Sequence, residues 1–147
     1  MNKKGFTLIE LLAVITLIAI IAVIAIPNVV KMVDGNKREM FVSDAKEMIA
    51  KARYMHKLDK YDDLFIADGS CHAITLTNLG LDLDKDADGN NYDAGESQVK
   101  VCSESNTFVY YVKTISKDSG GFSTRGIGPG YVKEADLTKN SINDLNR

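Results

Sequence analysis

The sequence predicts an α+β fold, one long N-terminal helix laid on a small antiparallel β-sheet. Three features of the chain predict it. An apolar run fills residues 6–30, an apolar stripe spaced by three and four follows from Phe41 to Met55, and short strand-like segments separated by turn residues occupy the last third.

The run FTLIELLAVITLIAIIAVIAIPNVV is apolar except at Thr7, Glu10, Thr16, Pro27 and Asn28. As a helix it would be about 37 Å long, enough to cross a hydrocarbon core of about 30 Å. Lys3 and Lys4 precede it, and the next basic residue is Lys31. That asymmetry predicts a single membrane pass with the first residues in the cytoplasm and the rest outside. A secretory signal peptide fits less well. The run is longer than an ordinary signal core, and the small residue Gly5 stands before it rather than after it.

From Phe41 the apolar positions step through Ala45, Met48, Ala52 and Met55, with Lys46, Glu47, Lys51, Arg53 and Lys57 on the other faces. One helix from Phe6 to about Leu58 is therefore expected, apolar all round in its first half and amphipathic in its second. Pro27 should kink it, and Gly35 between Asp34 and Asn36 offers an alternative breaking point.

Beyond Leu58 the polar segment 59–70 reads as a loop, and Thr75 to Leu83 as a weak strand or short helix. Asp84 to Glu96, dense in Asp, Asn and Gly, reads as a turn-forming loop. Three strands should follow: Ser97–Ser103, Thr107–Ser116 and Gly121–Ile127. The middle one is apolar on both faces up to Lys113, which places it centrally. The GIGPG stretch, Gly126–Gly130, breaks the strand pattern, and residues 131–147 frame the sheet's edge or hang loosely. The helix stripe and one face of this three-stranded sheet each need cover, and each can provide it for the other.

Eighteen Lys and Arg against 20 Asp and Glu give a net charge of -2. Beyond residue 33 the balance is 15 basic to 19 acidic residues. This opposes non-specific DNA binding, which needs phosphate neutralisation. Lys113, Lys117 and Arg125 could still form a local basic patch. Two cysteines, Cys71 and Cys102, fall on the exported side, where an even count predicts one disulfide tying the 59–71 loop to the sheet. A metal site built with His56 and His72 is the rival, but the spacing matches no zinc pattern. No nucleophile elbow, phosphate loop or metalloprotease motif is present, so an enzyme is not expected.

The N-terminal stretch MNKKGFTLIELLAVITLIAIIAVIAIP resembles the type IV pilin and pseudopilin superfamily, and a Gram-positive type IV pilin in particular. The resemblance rests on the short basic leader, Gly5, Phe6, Thr7, Leu8, Glu10 and Pro27. It implies a leader at 1–5, a transmembrane and filament-core helix at 6–30, and a globular head at 31–147. It further implies cleavage by a prepilin peptidase after Gly5, N-methylation of Phe6, and passage from the membrane into a filament of pilins at the cell surface. Adhesion, surface motility or biofilm formation would follow. The alternative is a pseudopilin of a type II secretion or DNA-uptake apparatus.

Glycine without a Cβ lets a protease approach closely at position 5. Glu10 is a carboxylate inside an apolar segment, where an unpaired charge is costly. The partner implied for it is the α-amino group of Phe6 on a neighbouring subunit. In the precursor the carboxylate could instead reach the interface near Lys3 and Lys4. Relatives often carry a glycine within the apolar helix. Here Ala19 stands mid-helix, so any local unwinding would rest on Pro27.

Asp84, Asp86, Asp88 and Gly89 match the first half of an EF-hand loop, but position twelve is Gly95 and Glu96 falls one residue late. The loop also resembles the D-x-x-G-N-x-Y stretch of major pseudopilins and many Gram-positive pilins, which precedes the sheet and in some members holds calcium. It is therefore a candidate calcium site, weighed against a solvated turn. A third reading makes the chain a binding subunit, with Tyr110, Tyr111, Phe122 and Tyr131 lining a pocket.

Overall fold

A computed structural model of the chain describes residues 5–58, 69–83, 85–105 and 107–145. The chain divides into two units, one ending at Asn36 and one running from Lys37 onward.

Helix α1, Leu8–Lys57, is unbroken through both Pro27 and Gly35, so the break considered at Asp34–Asn36 does not occur. Its first part is Ile-, Leu- and Val-rich on every face, and these side chains are exposed. Two of its few polar side chains satisfy themselves on the helix backbone. Thr16 Oγ1 donates to the Ala13 carbonyl at 2.9 Å, and Asn28 Nδ2 donates to the Ile24 carbonyl at 3.1 Å. Back-bonding of this kind hides polar atoms where the surroundings are apolar.

Within the second unit, the helix buries Phe41, Val42, Ala45, Met48, Ile49, Ala52 and Met55. This is the expected stripe, widened by Val42 and Ile49. It meets a sheet of six antiparallel strands: β1 Cys71–Thr75, β2 Asn91–Tyr92, β3 Gln98–Glu104, β4 Thr107–Lys117, β5 Ser123–Lys133 and β6 Ile142–Asp144. Their order is β1-β3-β4-β5-β6, with β2 pairing with β4. The chain is thus α+β and pilin-like in plan. β4 lies centrally, as its apolar character on both faces requires. Ile74, Val99, Val101, Tyr110, Val112, Ile127 and Ile142 join the helix stripe in one core.

The sheet is larger than the three strands expected. β1 leads into a four-residue helix, α2 (Leu76–Leu79), capped by the Thr75 side chain and ended by Gly80 at φ 61°. A left-handed backbone there favours glycine. β5 extends through the GIGPG stretch instead of stopping before it. Thr114 pairs with Ile127 and Val112 with Val132, so the residues between Ile127 and Val132 bulge opposite Lys113. A bulge lets a strand accommodate glycine and proline without losing its ladder. Gly126 is required for a separate reason: a Cβ there would lie 2.3 Å from the Thr114 carbonyl oxygen. Residues 134–145 follow the sheet's edge, with Leu137 and Ile142 buried and β6 paired to β5.

Polar groups within the head are tied in the same way. Ser97 is fully buried and bridges Ile115, donating to its carbonyl at 3.2 Å and accepting from its N–H at 3.1 Å. Ser97 thereby fills the gap between β2 and β3 along the edge of β4. Phe41 and Tyr92 meet edge-to-face with ring centroids 5.2 Å apart. The Tyr92 hydroxyl donates to Asp44 Oδ2 at 2.5 Å. Burial, reinforced by that carboxylate, pushes the phenol well above its usual range. Arg38 and Arg125 share Asp144, each at 3.0 Å, and Arg125 and Lys37 share Asp88 at 3.1 and 2.5 Å. This network joins the helix to β5, β6 and the aspartate-rich turn.

Candidate functional site

The residues singled out at the N-terminus sit where the backbone changes character. Gly5, Phe6 and Thr7 precede the helix in non-helical conformation, and α1 begins at Leu8. A Cβ built on Gly5 meets nothing within 4 Å, and Phe6 is 86% exposed. The Gly5–Phe6 bond therefore lies in exposed chain outside the helix, where a protease can reach it.

Glu10 sits in the first turn of α1, but not as a carboxylate without partners. Its Oε2 accepts from the Thr7 N–H and from Thr7 Oγ1, both at 2.8 Å, and its own N–H donates to Thr7 Oγ1 at 3.3 Å. This is a reciprocal capping box that satisfies donors left open at the helix start. Sequence reasoning assigned Thr7 no role, although Thr-x-x-Glu ahead of an apolar run is the signal for such a box. Pro27 lies inside the continuous helix.

Residues 8–57 contain an apolar segment long enough to cross a membrane, none of it buried within the protein. Residues 1–26 match the family model described as the prokaryotic N-terminal methylation motif. The chain carries the class III signal peptide of type IV pilins. No curated protein and no solved structure matches the chain. In this pilin-like chain the motif covers Gly5, Phe6, Glu10 and most of the apolar segment. The motif implies processing by a prepilin peptidase and assembly of such chains in a filament, and with the apolar helix it points to membrane anchoring.

In the head, Cys71 and Cys102 form a disulfide across a directly opposed pair of β1 and β3, with Cα atoms 4.1 Å apart. Such closeness is usual at non-hydrogen-bonded pairs of an antiparallel ladder. The expectation that the bridge ties a loop to the sheet needs correction: Cys71 is itself the first residue of a strand, and the bridge staples two neighbouring strands. The rival metal site is excluded, because both thiols are consumed. His56 instead meets Phe108 edge-to-face with ring centroids 4.7 Å apart, and His72 Nε2 shares a hydrogen bond with Ser70 at 2.7 Å.

The aspartate-rich loop is organised by its own carboxylates. Asp86, 4% exposed, accepts from the N–H groups of Asp88 and Asn90 through Oδ1. Asp88 is held by Lys37 and Arg125. Asp84 lies outside the described residues, as does the loop at 59–68. Among the described residues no three acidic, histidine or cysteine groups converge on a metal position.

Asp93 accepts from Gly95 and Glu96 N–H groups through Oδ1, while Oδ2 pairs with Lys117 at 2.8 Å. Lys117, with help from the Glu96 N–H, holds the Asp93 carboxyl below its usual range. Lys117 and Arg125 are thus engaged in ion pairs, and the basic patch considered with Lys113 does not form. The four aromatic residues do not gather either. Tyr110 is in the core beneath Arg53, Phe122 is exposed, and Tyr111 and Tyr131 flank Lys100.

Proposed function

We propose that the chain is a structural subunit of a bacterial type IV pilus. It is held in the cytoplasmic membrane by residues 6–30, trimmed after Gly5 and methylated on Phe6. It then passes into a surface filament that supports adhesion, motility or biofilm formation. The observation that carries this reading is the methylation motif heading an apolar helix whose surface the protein itself leaves bare. In a filament, neighbouring copies would cover that surface through side-chain packing, the force that associates helices in lipid. Glu10 would accept the α-amino group of Phe6 on an adjacent copy, so that only one axial stagger neutralises both charges.

A pseudopilin shares the same N-terminal chemistry, and the aspartate-rich loop ahead of β3 favours that alternative. Deleting the gene and examining cells by electron microscopy and a surface-motility assay separates the two. Loss of long filaments and of motility supports the pilus. Intact filaments with lost protein secretion or DNA uptake supports the pseudopilin. In the same host, Gly5→Ala should leave an uncleaved precursor in the membrane, and normal processing would refute the cleavage assignment.

A further inference from the structure

The capping box at the start of α1 treats the two oxygens of Glu10 differently. Both Thr7 donors, the backbone N–H and the hydroxyl, reach Oε2 at 2.8 Å. Among the described residues Oε1 has no hydrogen-bond partner. We propose that Thr7 is a positioning residue for assembly: it clamps Oε2 of Glu10 and leaves Oε1 presented to a cationic donor on a second copy of this chain. The inference rests on the Glu10 pairing proposed above and adds the residue that sets the geometry of that pair.

Three considerations support it. A carboxylate offers about four lone-pair positions, so one oxygen can stay clamped while the other accepts a further hydrogen bond. A glutamate already fixed in one rotamer loses less freedom when it pairs, which is how preorganisation strengthens association. The Thr7 N–H belongs to the Phe6–Thr7 peptide, so cleavage after Gly5 leaves the clamp whole. The same contacts that satisfy the carboxylate in the precursor therefore hold it ready in the mature subunit.

Four forms of the full-length chain test this: wild type, Thr7→Ser, Thr7→Val and Glu10→Gln. Serine keeps the hydroxyl, and valine keeps the shape and loses it. Glutamine keeps a capping acceptor and loses the charge. Cleavage and sheared-filament yield are measured in the host, and amide exchange at Glu10 in detergent micelles. Thr7→Val should be cleaved normally, exchange the Glu10 amide about five-fold faster, and lower filament yield about ten-fold. Thr7→Ser should match wild type, and Glu10→Gln should keep slow exchange yet fail to assemble. Wild-type yield from Thr7→Val alongside failure of Glu10→Gln overturns the positioning role and leaves the charge pair standing. Wild-type yield from Glu10→Gln overturns the pair and the inference with it. An uncleaved Thr7→Val, or a Thr7→Ser as defective as valine, also overturns the positioning role.

Discussion

Removing the Cys71–Cys102 bridge should cost the head a large part of its stability. The bridge closes a loop of 31 residues. The chain-entropy relation gives about 12 cal/mol/K for a loop of that length, or about 3.7 kcal/mol at 25 °C. Small domains have only about 5–15 kcal/mol in total, so the loss is a substantial share. The structure also says where the loss is felt first. β1 is a terminal strand of the sheet order, five residues long, held by its ladder to β3 and by the bridge at its first residue. Without the bridge, β1 should open before the rest of the sheet. Urea denaturation of the full chain in detergent, followed by near-ultraviolet circular dichroism of its tyrosines, measures the total. Amide exchange along Cys71–Thr75 measures the local opening. The paired Cys71→Ala, Cys102→Ala variant should lose about 3–4 kcal/mol, and reductant should affect wild type only. A variant within about 1 kcal/mol of wild type, with β1 equally protected, would refute the reasoning.

Ser97→Ala should destabilise the head by about 1–3 kcal/mol, because it orphans the buried Ile115 N–H, and a midpoint unchanged in urea would argue against that bridge. Gly126→Ala should cost about 1–3 kcal/mol or more, since the new methyl group must push β5 away from the Thr114 carbonyl, and a thermal melt at the wild-type midpoint would contradict the close approach. Asp93 has its carboxyl lowered by Lys117. Its contribution is therefore complete above the ordinary carboxylate range near pH 4 and fades as pH falls through the lowered folded value. Lys117→Met should flatten that acid-side slope, and a slope equal to wild type would show that the pair does not contribute.

Much of the fold was legible because the helix repeats its signal. The stripe from Phe41 to Met55 recurs over four turns, and β4 is apolar enough on both faces to declare itself central. Short elements give no such repetition. β1 offers one fully inward residue, Ile74, and β2 and β6 are only two and three residues long. They exist because β3, β4 and β5 present open backbone groups to pair with, a tertiary cause that no local pattern records. Gly126 to Gly130 looked like an interruption because glycine and proline weaken strands on average, whereas here one glycine permits close approach and the others sit at a bulge.

The candidate site divides along the same line. Gly5, Phe6 and Glu10 lie within six consecutive positions and are readable together. The clamp of Thr7 on Glu10 was also spelled out, as Thr-x-x-Glu, but the charge of Glu10 drew the reading outward to a neighbouring subunit. The network of Arg38, Asp88, Arg125 and Asp144 was not readable, since its members lie far apart in sequence and meet only in the folded head.

Mass spectrometry of filaments sheared from the cell surface, read from the N-terminus of this chain, is the most direct measurement. Expected is a polypeptide that begins at Phe6, carries one added methyl group there, and retains the whole apolar helix along with the oxidised cysteine pair. Finding the chain instead as a free secreted monomer that lacks residues 6–30 would contradict a filament built on that helix.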